Sequence, residues 1–301
     1  MFDFDPKSDA RNIGPEILFP SGIRFQLVET ADESLTARLI YASGTVSGTV
    51  SGTASASEPA NTSETMHSLR GAFLETVYIY GTAYDTAARL LDQAVLNPVS
   101  ESAPLTTRHP RVFSLGLGLG YVELLSSALS IRHDRELHGA SFEAVPELNS
   151  SFLSWLGLHG EDSNSSTGTG LVPTHVYDDI LSRTSKETGV SDALIKSRLK
   201  EAIQSQSWLI EGPLTSELAS TSLETPFHCI AFDAFSGKST PELWTREFLD
   251  SFLDKACAPV CALSTYACTG HLKRALQAAG FTLNIREGYA SKRDSTLATR
   301  P

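Results

Sequence analysis

No stretch of the sequence approaches the roughly 20 consecutive apolar residues that cross a bilayer, so no membrane span is expected. The opening MFDFDPKSDARN lacks both the positive charge and the apolar core of an export signal. A cytoplasmic location is the expectation. Cysteine is scarce, with four residues at Cys229, Cys257, Cys261 and Cys268 and neither a second pair nor a histidine at zinc-finger spacing. That argues against a disulfide scaffold and against a bound metal, and leaves buried thiols on core strands as the expectation. Positive charge is also short. With 24 Lys and Arg against 35 Asp and Glu, the formal net charge is −11. A broadly basic nucleic-acid binder is excluded, and any contact with phosphates must come from a local patch.

What is present is ordinary for a globular protein: 41% hydrophobic and 20% charged residues in a chain of 301, long enough for one large α/β domain with appendages. In residues 1–63 two strand-like segments, IRFQLVE and LTARLIYAS, flank the polar turn TADES and read as a small N-terminal β-hairpin region. They are followed by SGTVSGTVSGTASASEPANTSET, whose composition cannot bury a core and reads as a flexible insertion.

Residues 64–301 form the second expected unit, with insertions near 159–170 and 181–225. A long helical pattern begins near HSLRGAF, and strand and helix then alternate. RVFSLGL, LHGASFEAV, LVPTHVYDD, FHCIAFDAF and PVCALSTYA read as strands, with helical stretches between them. Such alternation predicts an α/β fold with a mostly parallel sheet covered on both faces. The closing FTLNIREGY and STLATR predict an antiparallel pair at the end of the sheet.

The stretch RVFSLGLGLGYVELL sets three glycines, Gly116, Gly118 and Gly120, at the end of the first core strand. Glycine there permits unusual backbone angles and lets a ligand approach the main chain. The spacing is G-x-G-x-G, not the dinucleotide G-x-G-x-x-G, and suits an amino acid and a ribose better than a pyrophosphate. Glu143 ends the second strand, where a carboxylate accepts ribose hydroxyls; Asp178 and Asp179 end the expected third strand, within reach of an adenine amino group. Each acid alone reads more readily as a solvated loop residue or a helix N-cap. Together, after a glycine loop, they point to a nucleoside cofactor, and S-adenosylmethionine fits the order of features.

The fourth core strand leads into IAFDAFSGKSTPELWTREFL, in which Asp233, Phe235, Pro241, Glu242, Leu243 and Trp244 match a motif of the MnmC-type methyltransferase family. ETMHSLRGAFLETVYIYG resembles a second family segment through His67, Ser68, Gly71, Ala72 and Glu75. LSTYACTGHLKRALQAAGF with its following GYASKRD resembles the closing segment through Thr265, Tyr266, Arg274, Leu276, Ala279, Gly280, Phe281, Lys292 and Arg293. The chain departs from the family at Ser114, where relatives carry an acid, and at Val122, where they often carry Asn; both bear on cofactor affinity. Cys268 and Thr269 replace small residues beside the acceptor pocket.

The resemblance implies a class I S-adenosylmethionine-dependent methyltransferase fold, Rossmann-like, with an antiparallel end strand. It also implies methyl transfer to the amine of 5-aminomethyl-2-thiouridine at a tRNA wobble position. Enzymes that make the aminomethyl intermediate would act upstream, and a chain of this length is expected to hold the methyltransferase without a fused FAD-dependent oxidase. Asp233 would be the catalytic acceptor of the amine proton, with Glu75, His67 and Tyr266 lining the acceptor cleft. Lys238, Lys292 and Arg293, extended by Lys273 and Arg274, would give an acidic protein a local basic rim for tRNA. Two other readings stay open: a methyltransferase for a small-molecule amine, and a non-catalytic binding protein of the same fold. Aminopropyl transfer on the same layout would want more acids around the amine pocket.

Overall fold

The computed structural model describes residues 10–41, 62–96, 107–158, 171–215, 225–235, 237, 239–290 and 294–301. Lys238, Lys292, Arg293, the segment 159–170 and nearly all of the Ser/Gly/Thr-rich insertion lie outside the described residues.

Five short strands, β1 (Arg11–Asn12), β2 (Ile17–Leu18), β3 (Arg24–Glu29), β4 (Leu35–Tyr41) and β5 (Thr62–Thr65), make an antiparallel N-terminal sheet. The expected hairpin is β3–β4, in register from Arg24 opposite Ile40 to Glu29 opposite Leu35. β5 then returns along β4. Phe25, Leu27, Ala37 and Leu39 bury the inner face of this sheet in the main core.

A helical rod follows: α1 (Ala72–Thr76), a π-helical turn (Val77–Gly81) and α2 (Thr82–Leu96). Backbone angles stay helical through both junctions, so the rod is continuous with one wide turn inserted. Wide turns of this kind rotate the side chains that follow, and they recur at functional sites.

The remaining elements build one layered α/β unit. In chain order they are β6 (Arg111–Leu115), α3 (Tyr121–Arg132), β7 (His138–Phe142), α4 (Pro146–Trp155), α5 (Thr174–Thr188), α6 (Asp192–Gln204), β8 (Trp208–Glu211), β9 (Phe227–Phe232), α7 (Arg246–Ala256), β10 (Cys257–Thr265), α8 (Gly270–Ala278), β11 (Thr282–Glu287) and β12 (Asp294–Arg300). The sheet order is β11-β12-β10-β9-β6-β7-β8. From β8 to β10 the strands are parallel, and β12 and β11 close the sheet as an antiparallel pair. Local chemistry fixes the helix starts: Pro146 opens α4, and the hydroxyls of Thr245 and Thr269 accept the amides of Phe248 and Leu272 at 3.2 Å to cap α7 and α8.

Strand alternation divides the core in two. Val112, Cys229, Ala231 and Ala262 face α2 and α3, while Phe113, Leu115, Ile230, Phe232 and Leu263 face α7 and α8. On the second face Phe113 packs against Phe142, Phe227 and Phe252 with ring centroids 5.0–5.2 Å apart. Each such ring, fully buried, contributes about 1.5–3 kcal/mol.

One sequence expectation is corrected here. LVPTHVYDD is not the third strand; α5 begins at Thr174, and Val176, Tyr177, Ile180, Leu181 and Thr184 bury a helical face. The third strand is β8, inside the segment read as an insertion. β6 is central, with β7 on one side and β9 on the other, so the strand order reverses at the carboxyl ends of β6 and β9. Ligands bind at that point in open α/β sheets.

Candidate active site

The turn after β6 is built on left-handed backbone. Gly116 has φ 91 and Gly120 has φ 78, a region that disfavours side chains. Space is also closed to them: a Cβ on Gly120 would stand 2.3 Å from Phe152 Cε2, and one on Gly116 would stand 3.0 Å from the Asp233 carbonyl oxygen. Two amides of the turn are tied to β7, the Gly116 N–H donating to the Phe142 carbonyl at 2.8 Å and the Gly118 N–H to Glu143 Oε2 at 2.9 Å.

Glu143 stands at the tip of β7, as expected, and is only 6% exposed. Its other oxygen accepts the Val145 N–H at 2.8 Å. Burial pushes its carboxyl above the usual carboxylate range, opposed by the backbone N–H donors of Gly118, Val145 and Ala144. A carboxylate held rigidly beside a glycine turn keeps lone pairs for a vicinal diol such as ribose. Tyr41 from the N-terminal sheet lies close enough for Glu143 to add to the burial that raises its hydroxyl.

Across the switch point, Asp233 follows β9, its amide donating to the Leu115 carbonyl at 3.1 Å. The hydroxyl of Tyr80, in the π turn, is hydrogen-bonded to the Asp233 side chain. Burial first, then Asp233, drives the Tyr80 pKa well up, so the phenol stays protonated and donates. Tyr266, just past β10, donates to the Ala234 carbonyl at 2.8 Å. Its pKa is also raised, by burial and then by the carboxylates of Asp233, Glu64 and Glu75. Glu75 is buried, and its Oε2 accepts the Ser68 N–H at 2.6 Å. Glu64, on β5, is hydrogen-bonded by the Ser239 hydroxyl. Asp233, Glu75 and Tyr266, which the sequence singled out, therefore meet in one place.

His67 belongs to the framework beneath. Its Nδ1 lies 3.1 Å from Thr36 Oγ1, and its ring meets Tyr121 edge-on at 4.8 Å. Trp244 donates to the Phe235 carbonyl at 2.8 Å and packs edge-on against Phe232, so it anchors the segment after Asp233 in the core.

Residues 215–301, which include Asp233 and Tyr266, match the model of a family of S-adenosyl-L-methionine-dependent methyltransferases. Over that segment the chain is similar to S-adenosyl-L-methionine-dependent methyltransferases. It is 35% identical over 68 residues, 23% of its length, to the tRNA 5-methylaminomethyl-2-thiouridine biosynthesis bifunctional protein MnmC of Aeromonas hydrophila subsp. hydrophila. The match spans only 10% of that relative. Among solved structures, MNMC2 from Aquifex aeolicus superposes with a TM-score of 0.52 at 18% identity, covering 93% of this chain and 72% of that one. This likeness speaks to the fold alone.

The matched family takes S-adenosyl-L-methionine as its cofactor, and the residues present fit that group. Gly116 and Gly118 are part-exposed at the switch point, and the Glu143 carboxylate stands beside them. Asp178 and Asp179 are positioned otherwise than expected. Asp178, in α5, accepts the Trp155 indole N–H at 2.8 Å, and Asp179 pairs with Arg183 at 2.8 Å. Arg183 in turn donates to the Asp32 and Glu33 carbonyls, so Asp179 ties α5 to the β3–β4 turn, while Asp178 ties it to α4. Among the described residues no group of three or more His, Cys, Asp or Glu could hold a metal ion, and no helix is long and apolar enough to cross a membrane.

Sequence reasoning missed Tyr41, Glu64 and Tyr80. The first two come from the N-terminal sheet, which forms one wall of the site, with Met66 Sδ 3.4 Å from where a Gly118 Cβ would lie. The tandem tyrosines of YIY at 78–80, inside a segment already matched to the family, were the available signal for Tyr80.

Proposed function

We propose that this domain methylates the amine of 5-aminomethyl(-2-thio)uridine at the wobble position of tRNA. The observation that carries the reading is the convergence of Asp233, Tyr80 and Tyr266 beside a cofactor turn, in a chain similar to a protein named for that biosynthesis.

When bound, the cofactor supplies an electrophilic methyl on a sulfonium. That methyl would pass to the acceptor nitrogen, the N–C bond forming as the C–S bond breaks with its electron pair left on sulfur. A protonated amine has no lone pair for this displacement. Asp233 accepts a hydrogen bond from the amine, orients it and takes the proton it sheds. Tyr80 holds the Asp233 carboxylate in place with its hydroxyl. Tyr266, fixed by the Ala234 carbonyl, forms the opposite wall and helps exclude water. Lys238, Lys292 and Arg293 would supply phosphate contacts around the rim.

One observation favours a second reading. Glu64 joins Glu75 and Asp233 around Tyr266, and such acidity suits a small cationic amine as well as a nucleoside aminomethyl group.

Incubation with labelled S-adenosylmethionine and tRNA purified in the aminomethyl form separates the two. Label in the wobble nucleoside, abolished by Asp233→Asn, is the expected result. Label in a diamine or polyamine but not in tRNA would replace the proposal with the second reading, and label in neither would overturn both.

A further inference from the structure

Beneath the glycine turn lies a buried carboxylate that the reaction above does not use. Glu123 is the third residue of α3, whose N-cap is Gly120, and it is 0% exposed. A glutamate at this position commonly reaches back to the N-cap amide. Here the Gly120 amide instead donates to the Leu117 carbonyl, and Glu123 Oε1 accepts the Ser141 hydroxyl of β7 at 2.7 Å. Ser141 in turn accepts the Trp208 indole N–H of β8 at 2.9 Å. Ser114 of β6 is the register partner of Ser141 and lies beside the same carboxylate. Ser114 Oγ and Glu123 Oε2 are both fully buried and lie beside each other, without a hydrogen bond of full geometry to any protein atom.

A buried carboxylate with an unpartnered oxygen is costly, and an apolar residue would fill the space without that cost. The placement is also specific. Ser114 lies two residues before Gly116, Ser141 two before Glu143, and Glu123 three after Gly120, so the network underlies every fixed point of the cofactor turn.

We propose that Glu123 is a positioning residue that couples the turn to the charge of the cofactor, ionising when the sulfonium is seated, so that cofactor binding releases a proton near neutral pH. This rests on S-adenosylmethionine being the ligand of the turn. Burial pushes the Glu123 carboxyl up to about 7, so it is divided between both forms at neutral pH. Glu143 is the titratable group facing it, and as a like charge it opposes ionisation. Ser114 and Ser141, on the strands packed against it, carry no charge. A cation above the turn reverses the balance, and by linkage affinity for that cation rises with pH.

The test is calorimetry of S-adenosylmethionine and S-adenosylhomocysteine binding near pH 7 in buffers of different ionisation enthalpy. The two ligands share the amino-acid tail, so the difference between them isolates the sulfonium charge. The wild type is expected to release up to about half a proton more with the sulfonium ligand, and Glu123→Gln to release no excess. An equal excess in Glu123→Gln would overturn the proposal and assign the proton to another group, Glu143 first. Should Glu123→Gln fail to fold, Ser141→Ala decides. Losing a donor to the charged form raises the carboxyl further, so the midpoint of the excess release moves to higher pH, and an unmoved midpoint overturns the proposal. Binding with no excess in the wild type overturns it while sparing the cofactor reading. No binding of either ligand overturns both.

Discussion

A methyl-sized atom added to Gly116 would stand 3.0 Å from the carbonyl oxygen of Asp233, while the Asp233 amide donates to Leu115 at 3.1 Å. The glycine turn and Asp233, the proposed proton acceptor, are thus braced against each other across the switch point. Gly116→Ala meets both this contact and a φ of 91. It is expected to cost about 1–2 kcal/mol in stability from backbone strain alone, and to weaken cofactor binding and turnover together. Thermal melts and calorimetry on the same preparation check this.

Removing the proton acceptor separates chemistry from binding. Asp233→Asn is expected to lower kcat by about 10²–10⁴-fold with little change in cofactor affinity. Tyr80→Phe removes a donor to the charged carboxylate and should lower kcat roughly tenfold, the worth of one charge-assisted hydrogen bond. Steady-state kinetics on Tyr80→Phe, beside a binding titration of the cofactor, measure the loss.

Asp178 and Asp179 are occupied by Trp155 and Arg183. Asp179→Ala is expected to cost no more than about 0.5 kcal/mol, as an i,i+4 pair, and Asp178→Ala about 1 kcal/mol for the lost indole bond. Neither should change the affinity for S-adenosylmethionine in a binding titration.

These two acids also show where sequence reading failed. Val172, Val176 and Tyr177 in LVPTHVYDD suggest a strand, yet the next buried residues, Ile180, Leu181 and Thr184, continue at helical spacing. The true third strand, WLIE, is four residues long and sits between polar stretches, too short for a periodic signal. The glycine turn, Glu143 and Asp233 were legible because each depends on local order: a strand, its tip, then a turn. Tyr80 was not, because the π turn breaks the helical spacing that would aim its side chain. Nor was the burial of Glu123. An acid in the first turn of a helix reads as solvated, and only the packing of α3 on the sheet, which brings Ser141 of β7 and Ser114 of β6 to the carboxyl, buries it.

That burial has a consequence for stability. Glu123 binds its proton more tightly in the folded chain, with a pKa of about 7 against about 4.5 for a free glutamate. Its contribution is therefore most favourable below the unfolded value and is lost as pH rises through about 7. Glu123→Gln keeps an acceptor for Ser141 without the charge. It is expected to gain stability relative to wild type on going from pH 5 to pH 8, by on the order of 2 kcal/mol. Denaturant titrations at the two pH values check the sign.

The central claim is that the turn from Gly116 to Gly120, with Glu143 beside it, holds the cofactor. Calorimetric titration of S-adenosylmethionine into the wild type and into Gly118→Arg tests it most directly, with circular dichroism to confirm that both are folded. Gly118 has φ 54 and its amide is bound to Glu143, so arginine there places a large cation where the cofactor would lie. Saturable binding to the wild type, lost in folded Gly118→Arg, is the predicted result. No binding to the wild type, or equal binding to both, would contradict it.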